Sequence, residues 1–167
     1  MIRLATKKDI KSIISIVDET IKYINSEEKG NWEYIYPNEH EAEKIIKSKR
    51  LFVYEIEGSK IAGFICMNNR VSNEYKKIGW SVKEDEFMVI NTLAIDIKIL
   101  RCGVATDLIK FAEEFAKENL AKAIRTEVYS LNKRAQKLLI KNGYELKGEI
   151  YFTEIKDKKF YCYEKLI

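Results

Sequence analysis

At 167 residues the chain suits one domain with a sizeable core, and no internal repeat or low-complexity stretch divides residues 1–167. Its 30 basic and 26 acidic residues give a net charge of +4, with the signs interspersed, which argues against the basic stripe of a nucleic-acid-binding protein. The apolar runs are too short to cross a bilayer, the N-terminus does not read as a signal peptide, and Cys66, Cys102 and Cys162 are too scattered for a disulfide framework or a metal site, so a cytoplasmic protein without membrane, nucleic acid or metal is expected.

The chain opens on an edge-strand candidate, Ile2-Arg3-Leu4-Ala5. Thr6 and Asp9 then read as a capping box, Asp standing in for Glu. The helix behind it carries Ile10, Ile13, Ile14, Val17, Ile21 and Ile24 on one face. Residues 25–38 read as a loop containing Trp32, Tyr34 and Tyr36. These aromatics either pack over the core edge or form a wall of a substrate pocket. Asn38, with Glu41 three residues on, predicts the cap of a second helix bearing Ala42, Ile45 and Ile46 and ending in the basic run 47–50. Two strands, 51–56 and 60–67, follow with a hairpin link at Glu57-Gly58-Ser59.

Residues 68–85 read as a strand extension and a loop. Phe87 to Ile95 is a β-branched, apolar run that predicts a buried strand. Period-two alternation puts Glu86, Met88, Ile90 and Thr92 on one face and Asn91 on the other, unless a bulge intervenes. The chain then turns through residues 99–106 with one glycine, Gly103. It enters a helix with Val104, Leu108, Phe111, Ala112, Phe115, Ala116 and Leu120 at helical spacing. A strand that feeds a helix N-terminus through such a turn presents unpaired amides to an anion and suits a pyrophosphate. A fifth strand is expected at 122–129. A helix capped by Asn132, with Ala135, Leu138 and Leu139 buried, runs to a stop at Gly143. Two aromatic-rich strands, 145–153 and 159–166, close the chain.

Two stretches carry a resemblance. Arg101-Cys102-Gly103-Val104-Ala105, behind the strand ending Leu93-Ala94-Ile95, is similar to the pyrophosphate loop of the GNAT superfamily of acyl-CoA-dependent N-acetyltransferases, which reads Gln/Arg-x-x-Gly-x-Gly/Ala. Gly103 and Ala105 match its last two fixed positions, while Leu100 stands where Gln or Arg is usual. Asn132, Ala135, Leu138, Lys141, Gly143 and Tyr144 fall on the superfamily's second signature. The hairpin phrase Glu57-Gly58-Ser59-Lys60-Ile61-Ala62-Gly63-Phe64 also resembles GNAT chains, and Trp32 followed by Tyr36-Pro37 resembles one subgroup of small bacterial members.

The resemblance implies an α/β (or α+β) GNAT-like domain: a mixed, mostly antiparallel sheet of six or seven strands with helices on both faces. It implies acetyl-CoA as cosubstrate and, as acceptor, a primary amine of a small molecule or peptide, in a monomer or homodimer. The backbone of Leu93, Ala94 and Ile95 would hold the pantetheine arm and the acyl oxygen. Arg101, Cys102, Gly103, Val104, Ala105 and Thr106 would hold the pyrophosphate. Asn132 would touch the pantetheine or cap its own helix. Trp32, Tyr36 and Asn91 are candidates for the acceptor pocket. Glu86 is the candidate base, acting through a water or standing as a solvated strand-end carboxylate. Leu139 occupies the place where many GNAT enzymes carry a Tyr that protonates the leaving thiolate, so Tyr129 is the candidate acid. That departure leaves open a non-catalytic acyl-CoA-binding or sensor module of the same fold. A protein-interaction domain whose turn holds no ligand is the third reading.

Overall fold

The computed structural model describes residues 1–27, 37–82, 86–152 and 158–167. In chain order the elements are β1 (Ile2–Leu4), α1 (Ile10–Glu27), α2 (Glu39–Lys47), β2 (Leu51–Ile56), β3 (Lys60–Asn68), β4 (Phe87–Ile95), α3 (Val104–Glu118), β5 (Ala123–Tyr129), α4 (Lys133–Lys141), β6 (Glu145–Tyr151) and β7 (Lys159–Leu166). The seven strands make a mixed sheet in the order β1-β2-β3-β4-β5-β7-β6. β4 and β5 run parallel, and the pairs β1–β2, β2–β3, β5–β7 and β6–β7 run antiparallel, as the resemblance implied. The chain gathers into two compact units: residues 1–67 with 92–111, and residues 68–91 with 112–167.

The first unit is built on the one-sided pattern of α1. Ile13, Ile16 and Val17 are buried with Leu51, Val53, Ile61, Phe64 and Ala94, and Ile21, Ile45 and Ile46 pack against that cluster. Ile16 takes the core place that the sequence pattern gave to Ile14. The helix also runs on to Glu27, three residues into the stretch expected to be loop. Its entry is fixed by Asp9, whose carboxylate accepts the Thr6 N–H at 2.7 Å and both terminal nitrogens of Arg3 at 2.8 and 2.9 Å. The Arg3 guanidinium, ahead of the two Thr6 bonds, holds the Asp9 carboxyl down at about 2 against the cost of its burial. Asn38 caps α2 as expected: its side chain accepts from the Glu41 N–H, and Glu41 reaches back to the Asn38 N–H, both at 3.0 Å.

In the second unit β4 pairs with β5 from Phe87↔Ala123 to Ile90↔Thr126, and β7 pairs with β5 and β6 on either side. Phe87, Val89 and Ala123 form a buried cluster against which Val82 packs. The strand expected at 60–67 extends by one residue only, and residues 69–82 contain no strand. β3 stops at Asn68, whose side chain accepts from the Arg70 N–H at 2.8 Å in an Asx-type turn, and a 3₁₀ turn follows at 73–77. Leu120 also departs from expectation. Past the last turn of α3 it takes a left-handed φ of 62° and is 86% exposed. Gly143 ends α4 at φ 84°, as a C-terminal stop should.

Candidate functional site

The first unit builds the strand-to-helix turn. Within it, β4 passes β3 so closely at Gly63 that a Cβ there would lie 2.8 Å from the Ala94 carbonyl oxygen and 2.7 Å from Ile95 Cδ1. The Asp96 N–H bonds to the Ala62 carbonyl at 2.9 Å and ends the strand. Asp96 then accepts from the Lys98 N–H and starts a short 3₁₀ turn. The backbone reaches α3 through two left-handed residues, Arg101 at φ 70° and Gly103 at φ 84°. The Asp107 N–H makes the i→i−4 bond to the Gly103 carbonyl at 3.0 Å. The amides of Val104, Ala105 and Thr106 therefore stand ahead of the helix ladder, at the positive end of its dipole. A Cβ built on Gly103 meets no atom within 4 Å outside the adjoining residues, so the space beside Gly103 is open. Arg101 and Cys102 are exposed, Val104 is buried, and Ala105 and Thr106 are half-buried. Asp107, in the first turn, takes the Tyr54 hydroxyl at 3.3 Å. Leu93 and Ile95 are half-buried and Ala94 is buried. This turn can cradle a diphosphate with backbone amides, and the open face of Gly103 fits one.

The second unit places a carboxyl that the sequence reading passed over. Glu127 lies on β5 one residue beyond Thr126, where the β4–β5 ladder ends. The Tyr75 hydroxyl donates to its carboxylate. Burial pushes the Glu127 carboxyl up to about 7, offset in part by its own backbone hydrogen bond. Such a group takes up and gives back a proton near neutrality. The residues facing it come from three elements. Tyr75 comes from the 73–77 turn, Arg125 from the same strand two residues back, and Cys162 from the opposite position on β7. Burial first, and Glu127 second, push the Cys162 thiol up to about 12. Arg125 is already committed. It pairs with the buried carboxylate of Glu164 at 3.1 Å, bonds to the Val82 carbonyl, and lies over the rings of Phe87 and Trp80 at 3.8 and 4.5 Å. Glu164 accepts in addition from the Ser81 N–H at 2.8 Å. Trp80 stacks on Tyr75 at 5.1 Å and donates to the Tyr75 carbonyl. Residues 75–82 are thus pinned along β5 by one ion pair and one carboxylate. The signal available in the sequence was Arg125-Thr126-Glu127, two charges spaced to share one face of an otherwise apolar strand.

The other expected residues lie as follows. Glu86 precedes β4, is half-buried, and pairs with Lys122. It stands at the end of the ladder remote from Glu127, about 16 Å of extended chain from Asn91. Tyr129 is half-buried, its ring 5.8 Å from that of Phe160. The side-chain oxygen of Asn132 accepts from the Ala135 N–H at 2.9 Å, which is the capping role. Leu139 is buried in α4. Asn91 is half-buried on β4. Trp32 and Tyr36 lie outside the described residues.

Residues 18–144 match the model of the acetyltransferase (GNAT) family. Among solved structures, a candidate acetyltransferase from Staphylococcus aureus Mu50 is 29% identical with a TM-score of 0.76, over 99% of this chain and 98% of that one. A GNAT-family acetyltransferase from Streptococcus agalactiae 2603 superposes with a TM-score of 0.84 at 20% identity, over 100% and 95% of the two chains. A ribosomal-protein-alanine N-acetyltransferase from Brucella melitensis superposes at 0.72 with 13% identity, over 100% and 99%. The last two likenesses bear on the fold. No curated protein matches the sequence.

Proposed function

Since this chain belongs to the GNAT family of acetyltransferases, we propose that it moves an acetyl group from acetyl-CoA to a primary amine of a small molecule or peptide. The observation that carries the proposal is the β4–α3 turn: left-handed Arg101 and Gly103, open space beside Gly103, and three leading amides of α3. The amides of Val104, Ala105 and Thr106 bind the pyrophosphate, with Arg101 the nearest cation in sequence. The backbone of Leu93, Ala94 and Ile95 lines the pantetheine arm and polarises the acyl oxygen. Acetyl-CoA supplies an already activated thioester.

What remains for the protein is to orient the amine and take its proton. Glu127 suits that proton transfer better than Glu86. A carboxyl near 7 is half ionised at neutral pH, whereas Glu86 is already held by Lys122 in an ion pair. Tyr129 is the proposed donor to the departing thiolate, because buried Leu139 has no proton to give. We place the enzyme in the cytoplasm, without metal, membrane or nucleic acid, as a monomer or homodimer.

Gly103→Ala and Gly58→Ala provide a matched test. Both glycines have positive φ, 84° and 72°, with no atom within 4 Å of an added Cβ. Both substitutions should cost about 1 kcal/mol of backbone strain. Calorimetry should find acetyl-CoA affinity reduced at least tenfold only in Gly103→Ala. Equal affinity in the two variants would place the diphosphate elsewhere.

A further inference from the structure

We infer that the carboxamide oxygen of Asn91 and the carboxylate of Glu127 form a two-point seat for the primary ammonium group of the acceptor. The inference rests on the transfer reading above and gives that site its recognition chemistry.

The second unit is layered along the strands. Val82 covers Phe87, Val89 and Ala123, and Trp80 covers Arg125, whose guanidinium also lies on Phe87. Residues alternate along β4 and β5, and parallel partners share a face. The next layer on the face of Val89 and Arg125 is therefore Asn91 and Glu127, with Tyr75 on the carboxylate. The ladder ends one residue earlier, at Ile90↔Thr126, where the Thr126 hydroxyl spends itself on the Ile90 carbonyl at 2.9 Å. Alternation thus puts Asn91 and Glu127 on one face, each one residue past the last paired position of its strand, and Leu93 follows Asn91 by two residues in β4.

A second observation concerns Asn91 alone. Its carboxamide oxygen is buried and has no hydrogen-bond partner among the described residues. The other buried atoms in that state, on Thr20, Ser72 and Tyr144, are hydroxyls, which can accept or donate. The Asn91 oxygen can only accept, so only a donor completes it. A buried acceptor without a donor is costly and calls for an explanation.

A primary ammonium answers both groups. It donates one N–H to Asn91 and one to Glu127. The N–H bond toward Glu127 then breaks as an O–H bond forms on the carboxylate, and the positive and negative charges cancel. The nitrogen lone pair is released, and Asn91 still holds one of the two remaining N–H bonds to fix its direction. Burial of the face disfavours a lone charge, which selects a ligand that arrives charged and becomes neutral.

The test compares wild type, Asn91→Leu and Asn91→Asp as full chains at pH 8, where alkylamines are ammonium ions. Without ligand, Asn91→Leu should melt at or above the wild-type temperature, because an unpartnered oxygen has been removed. n-Butylammonium chloride should raise the wild-type and Asn91→Asp midpoints above equal sodium chloride, and should not raise that of Asn91→Leu. With acetyl-CoA, kcat/KM for n-butylamine should fall about 10- to 100-fold in Asn91→Leu, the loss of one hydrogen bond to a charged group, while acetyl-CoA affinity changes less than twofold. A destabilised Asn91→Leu, or one that responds to n-butylammonium as wild type does, overturns the seat. Loss of acetyl-CoA binding by wild type would instead count against the transfer reading, and the melting comparison decides the seat without it.

Discussion

Glu127 has opposite effects on stability and on reaction. Its carboxyl is raised to about 7 in the fold, above the ordinary carboxylate range it has when unfolded. The folded chain therefore keeps a proton that the unfolded chain gives up. The stability this contributes is complete below about pH 4 and is lost as pH rises through 7. Glu127→Gln should melt close to wild type at pH 4 and above it at pH 8. The same change should lower kcat/KM by about 10²- to 10⁴-fold and remove an acid limb centred near pH 7. Tyr75→Phe removes the hydroxyl bond that favours the ionised carboxylate, so it should move that limb to higher pH. A Glu127→Gln variant with a wild-type rate and an unchanged limb would return the proton-accepting role to Glu86.

At the scale of elements, two packings fix the turn and the pinned loop. Gly63 keeps β3 tight against β4 at Ala94 and Ile95. Gly63→Ala drives a methyl into a backbone oxygen, and we expect a loss of about 1–3 kcal/mol together with weaker acetyl-CoA binding. Denaturant melts and calorimetry on the same sample check both. In the other unit, Arg125 and Glu164 hold Ser81 and Val82 over β5. Glu164→Gln leaves the buried guanidinium without its counter-charge and should cost about 3–5 kcal/mol. Replacing the pair by Met and Leu together should cost far less. Equal losses in the single and double replacements would show that packing, not charge, holds the loop.

Over the whole molecule, what the sequence made legible follows from period and punctuation. The apolar stripes of α1 and α3, the Asn38 and Asn132 caps, the Gly58 hairpin and the Gly103 turn are local features, and all appear where the chain predicts them. Ile14, whose core place Ile16 takes, and Leu120 depart from the expected stripes because membership at a helix edge depends on what packs there, which spacing alone does not state. The shifted proton affinity of Glu127 was not legible for a deeper reason. Its proton affinity is set by burial, and the groups around it, Tyr75, Cys162 and Arg125, come from 52, 35 and two residues away, so only strand pairing with a loop laid over it creates that environment. Asn91 could be named from sequence, but its unpartnered oxygen could not.

The most direct test of the account is to incubate the full chain with acetyl-CoA and n-butylamine at pH 8 and to follow thiol release and N-acetylbutylamine together. The account predicts amine-dependent, saturable release of CoA, one acetylated amine for each thiol, and its near loss in Glu127→Gln with acetyl-CoA binding intact. Thiol release that does not depend on the amine, or tight acetyl-CoA binding with no acetylated product, would contradict it.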